Sequence, residues 1–125
     1  MDGFDEARVS RAVANSLARP GGVPLVISVF VGIPGVVRTP ARRGLFRSHP
    51  ERIQIGDWRY EVASDGRLSA SHVVGGIVIA EEVLLACDVG PHIARALAQV
   101  AARYGATVVP SIEAAVEALN TSAGL

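Results

Sequence analysis

Apolar and polar residues alternate through the middle of the chain, and that alternation predicts antiparallel sheet. Trp58, Tyr60 and Val62 interleave with Asp57, Arg59 and Glu61, a period of two that gives a strand one dry face and one wet face. Beyond the turn signal Ser64-Asp65-Gly66, Leu68, Ala70, His72 and Val74 interleave with Arg67, Ser69, Ser71 and Val73. A two-residue Asp65-Gly66 loop would set Val62 opposite Ser69 and Tyr60 opposite Ser71, mixing apolar with polar on each face. A three-residue loop, with Gly66 left-handed, pairs Val62 with Leu68, Tyr60 with Ala70 and Trp58 with His72, and is the expected register.

Gly75-Gly76 reads either as a two-residue turn into another antiparallel strand over residues 77–85 or as a bulge within one long strand. The turn is preferred, with Ile77, Ile79, Val83 and Leu85 on the core side. It would pair Val74 with Ile77, His72 with Ile79 and Ala70 with Glu81, making Glu81 a diagonal neighbour of His72 on the apolar face.

A spacing of three or four predicts helices on either side of this sheet. Val9, Val13 and Leu17 form one stripe over residues 6–18, with Asp5 as the cap and Phe4 and Val9 placed as a hydrophobic staple. Arg19-Pro20-Gly21-Gly22 stops that helix. Ile93, Leu97, Val100 and Tyr104 mark a second helix, with Pro91 at its first position and Gly105 after its end. Thr107-Val108-Val109 reads as a short edge strand, and Ser111 as the cap of a third helix whose Ile112, Val116 and Leu119 face inward. Residues 25–33 are rich in β-branched side chains and apolar on both faces, which predicts a central strand or a strand at an oligomer contact. Together these elements predict a single α+β domain over residues 1–125, an antiparallel meander of four or five strands with an N-terminal helix and C-terminal helices on one face.

Residues 34–50 break the periodicity. Arg38, Arg42, Arg43 and Arg47 share this stretch with three prolines and Gly44, so it is expected to be a long loop. Its bland reading is a solvated connection. Its sharper reading is an anion-facing arm with those four arginines as contacts and Phe46 as an anchor.

Composition narrows the rest. The 125 residues are half apolar but only 5% aromatic, and the twelve Asp and Glu balance twelve basic residues, all of them Arg. Zero net charge removes any global attraction to nucleic acid or an anionic membrane, and an Arg bias beside so much Ala, Gly and Val fits a GC-rich bacterial genome. The acidic N-terminus is unlike a secretory signal. The longest apolar run, 23–37, contains Pro24 and Pro34 and falls short of the ~20 residues that a bilayer requires. One cysteine, Cys87, cannot form an internal disulfide, which fits a cytoplasmic setting.

No motif of strong specificity is present: no phosphate-binding glycine loop, HExxH, CxxC or GxSxG. Cys87 and His92 are too few ligands for a metal site, and Asp88 beside Cys87 raises rather than lowers a thiol pKa. No catalytic residue, cofactor or metal is therefore expected. His72, on an apolar face across from Trp58, is either a satisfied core histidine or part of a ligand site with Trp58, Tyr60 and Glu81. The leading expectation is a non-catalytic interaction module, self-associating through the 25–33 strand or the Ala-rich second helix. The alternatives are a small-ligand or enzymatic domain at Trp58, Tyr60, His72 and Glu81, and a phosphate or nucleic-acid binder using the arginine loop.

Overall fold

The computed structural model describes residues 4–39, 44, 51–62 and 67–123. In chain order they form α1 (Glu6–Leu17), α2 (Gly22–Val29), β1 (Val36–Thr39), β2 (Arg52–Ile55), β3 (Trp58–Val62), β4 (Leu68–Val74), β5 (Ile77–Val83), α3 (Ala86–Tyr104), a 3-10 turn (Ala106–Val108) and α4 (Val109–Ala123). The strands lie in the order β1-β2-β3-β4-β5, every neighbouring pair antiparallel, so the fold is an α+β meander. Ile53, Ile55, Tyr60, Leu68 and Ala70 from the sheet join Val9 and Val13 of α1, Phe30, Ile93 and Leu97 of α3 and Ile112 and Leu119 of α4 in one buried cluster. The opposite face of the sheet carries Arg52, Gln54, Arg59 and Glu61, the one-sided solvation that antiparallel sheets permit.

The β3–β4 register is the expected one, with Trp58 opposite His72, Tyr60 opposite Ala70 and Val62 opposite Leu68; the Ser64-Asp65-Gly66 loop lies outside the described residues. α1 begins as its sequence implies, Asp5 Oδ1 accepting from the Arg8 backbone N–H at 3.1 Å. Ile112, Val116 and Leu119 are buried.

Several expectations are corrected. Residues 25–33 are not a strand, because α2 occupies Gly22–Val29. Val26, Ile27 and Phe30 are buried, and a spacing of one and four suits a helix rather than a pleat. Pro24 falls in the first turn, where its missing N–H costs nothing. A short helix that is apolar nearly all round is held by burial, here against α1 and α4, and not by propensity. Within 34–50, Val36–Thr39 form β1. α3 starts at Ala86, with Pro91 inside it rather than at its first position, and Tyr104 is exposed. Thr107-Val108-Val109 makes no strand: a 3-10 turn runs directly into α4, which starts before Ser111 and takes Pro110 in its first turn.

Gly75-Gly76 is the two-residue turn, Val74 pairing with Ile77, and both glycines hold positive φ (60° and 82°) as a primed hairpin turn requires. A bulge follows. Val73 pairs with Val78 but His72 with Ala80, leaving Ile79 as the extra residue. From there each β5 residue is displaced by one from the simple register. Ile77, Ile79, Val83 and Leu85 are exposed instead of facing the core.

Candidate functional site

The bulge decides which glutamate meets the apolar face. Glu82, not Glu81, is opposite Ala70, while Glu81 is opposite Ser71. Glu81 therefore lies on the outer face, where its Oε2 accepts from the Ser71 hydroxyl at 2.9 Å. The expected His72–Glu81 pair does not form. On the inner face Trp58 and His72 stack across β3 and β4 with centroids 4.6 Å apart and planes 15° apart. α3 adds His92, whose ring stands edge-on to Trp58 at 4.5 Å and to Tyr60 at 5.4 Å. Trp58, Tyr60 and His72 are thus brought together as the pattern implied, with His92 and Glu82 in place of Glu81.

The polar atoms of this cluster form a chain. The Tyr60 hydroxyl lies 2.7 Å from His92 Nδ1 and 3.4 Å from the His92 carbonyl oxygen, and His92 Nε2 lies 4.0 Å from Glu82 Oε1. With the ring neutral, the short contact is the phenol donating to Nδ1, which puts the ring proton on Nε2 facing Glu82. Burial lowers the His92 pKa from its usual 6.5, opposed by the Glu82 carboxylate and assisted by Arg95. Burial raises the Tyr60 phenol well above its usual 10, with Arg95 opposing. A phenol held protonated in this way donates a hydrogen bond and does not serve as base or nucleophile near neutral pH. The arrangement ties β3 to α3 through a satisfied polar contact inside an apolar face.

From the sequence, His92 is weighed only as a metal ligand beside Cys87 and is not placed against the sheet. With α3 starting at Ala86, His92 falls three residues after Val89 and four before Ala96, both buried, which places it beside the sheet-facing stripe. Glu82 carried no such signal, since nothing local announces the bulge. Among the arginines expected to face an anion, Arg38 is on β1 and its Nε donates to Glu51 Oε2 at 2.7 Å; Arg42, Arg43 and Arg47 lie outside the described residues. Cys87 is exposed, its Sγ 3.9 Å from Asp88 Oδ1. Among the described residues no three His, Cys, Asp or Glu side chains converge as a metal site would require, and no helix is long and apolar enough to cross a membrane.

The most conspicuous surface is β5 itself. It is the last strand of the sheet, and all seven of its residues are exposed. Val74, Ile77, Val78, Ile79, Val83 and Leu85 make up most of the exposed large aliphatic side chains among the described residues, with Ile77 67% and Leu85 64% accessible. Scattered surface aliphatics are ordinary, but this many gathered on and beside one edge strand are not. In the surfaces expected to self-associate, Val26 and Ile27 of α2, Phe30 at its end and Ala94 and Ala96 of α3 are buried in the chain's own core, while Val31 is exposed.

No curated protein and no solved structure matches the chain. A family model described as Domain of unknown function (DUF5073) matches residues 1–121, and the chain belongs to that family.

Proposed function

We propose that this protein is a non-catalytic interaction module that self-associates through the edge of β5, two copies pairing antiparallel across it. The observation that carries this reading is an edge strand whose residues are all exposed, Ile77, Val78, Ile79 and Val83 among them. An edge strand presents a row of backbone donors and acceptors, and apolar side chains around it add a hydrophobic reward for covering them. We take the occupant to be a second copy of the chain, because an antiparallel two-fold pairing keeps the carboxylates of the strand, its only charges, apart. In an antiparallel pairing about Ile79, Ile77 and Val78 lie beside the partner's Glu81 and the partner's Ala80. The two Glu81 positions are then four residues apart along the strands, about 13 Å at ~3.3 Å per residue. That exceeds the ~8 Å screening length at physiological salt. A parallel in-register pairing would stack the carboxylates, and a two-fold antiparallel contact also closes on itself.

Light scattering on the purified chain across a wide concentration range tests this. The expected result is a dimer mass that Ile79→Lys converts to one chain's mass, with circular dichroism unchanged because Ile79 is exposed. One chain's mass for the wild type at every concentration would sink the proposal.

A further inference from the structure

We propose that the open face of the sheet, away from the helices, carries a binding site for a small phosphate-like dianion held between Arg52 and Arg59. Register assembles it. Thr39 is opposite Arg52 and Val37 opposite Gln54 across β1 and β2, and Gln54 is opposite Arg59 across β2 and β3. Alternation along each strand then sends all five side chains to the same face, where they line a hollow of about 180 Å³.

The electrostatics of the hollow are unbalanced. Glu61 is shared: its Oε1 is 3.7 Å from Arg52 Nη1 and 3.5 Å from Arg59 Nε. Both distances allow an ion pair, yet neither contact has hydrogen-bond geometry, and Arg52 Nε and Arg59 Nε are buried without an acceptor. A guanidinium carries five N–H donors, so among the described residues these two share one carboxylate, Glu61, leaving a net charge of +1 in that trio and donors to spare. An ordinary surface ion-pair row would look different. Arg38 on the same sheet shows that difference, its Nε donating to Glu51 at 2.7 Å.

The ligand class follows from size and shape. The hollow is smaller than the roughly 300 Å³ at which drug-sized pockets begin, so it suits a compact anion or the anionic end of a phosphomonoester. Two planar guanidinium forks call for an oxyanion that can accept from both sides. A tetrahedral dianion offers three oxygens and enough charge to displace Glu61 from its shared position, whereas a monocarboxylate offers two oxygens and one charge. None of the lining residues is aromatic, so there is no platform for base stacking and nothing to favour nucleic acid.

The test is calorimetric titration of the purified chain at low ionic strength with inorganic phosphate, methyl phosphate and acetate in separate arms. The expected result is saturable one-to-one binding of both phosphates, with acetate at least tenfold weaker. Arg52→Gln and Arg59→Gln should each weaken phosphate about tenfold or more. Glu61→Gln should tighten it, because the competing carboxylate is gone; a purely structural Glu61 would leave affinity unchanged or lower it. Amide shift mapping on the wild type needs no variant to fold, and phosphate should perturb residues 37–39, 52–54 and 59–61. No saturable heat with phosphate, affinity undiminished in both Arg52→Gln and Arg59→Gln, acetate binding as tightly as phosphate, Glu61→Gln failing to tighten, or shifts confined to other residues would each overturn the proposal. The site is on the sheet face and not its edge, so Ile79→Lys should bind phosphate as the wild type does.

Discussion

Tyr60 is fully buried, and its hydroxyl is the one polar atom of that side chain to be satisfied in the core. Tyr60→Phe keeps the ring and removes the donor to His92, so it should cost about 1 kcal/mol, the usual net worth of one hydrogen bond. Urea unfolding midpoints with unchanged slopes would measure it. His92 makes a second prediction. Its folded pKa is lowered mainly by burial, while the unfolded value is 6.5. As pH falls the unfolded chain takes up the proton first, so His92 contributes stability that is complete above 6.5 and is lost as pH drops through the folded pKa. His92→Gln should flatten that part of the stability profile; an unchanged slope between pH 7.5 and 5 would show that the ring is not held neutral. Protonation also has a structural outlet. A charged ring would donate from Nδ1 to the phenol oxygen, and the Tyr60 hydroxyl could turn to the His92 carbonyl 3.4 Å away.

At the scale of elements, the crossing of α1 and α3 is set by a glycine. A Cβ on Gly90 would meet the Ser10 carbonyl oxygen at 2.6 Å, a backbone atom that cannot swing aside. Alanine is normally about 1 kcal/mol better than glycine inside a helix, so Gly90→Ala is a contest between propensity and clash. The clash wins, because separating the two helices also opens the core around Val9 and Ile93, and overpacking of this kind costs roughly 1–3 kcal/mol. Thermal unfolding should therefore show a lower midpoint for Gly90→Ala. α2 depends on burial in a different way. Phe30, which ends it, is fully buried, and Phe30→Ala should cost about 3–5 kcal/mol. A much smaller loss would mean that this short helix contributes little to the core.

For the whole molecule, a dimer that buries the β5 edge should make the unfolding midpoint rise with protein concentration, since mass action stabilises the associated state. Ile79→Lys should remove that dependence without lowering the midpoint of the dilute protein. What the sequence determined by itself is what short-range physics encodes. The 58–62 and 68–74 strands, their register, the Asp5 cap and the inward face of α4 all follow from periodicity and turn chemistry within a few residues of one another, whereas Gly75-Gly76 reads as a turn or a bulge and the pairing of Val74 with Ile77 decides it. These placed Trp58, Tyr60 and His72 on one face. Tertiary structure decided the rest. Residues 25–33 are rich in β-branched side chains and would suit a strand, but burial against α1 and α4 goes with a helix over Gly22–Val29. Pro91 looked like a helix start, but α3 begins five residues earlier, and its packing on the sheet sets His92 against Trp58 and Tyr60. The bulge at Ile79 has no local signature, and because side chains alternate with a period of two, that single extra residue sent Glu81 outward to Ser71 and brought Glu82 to His92.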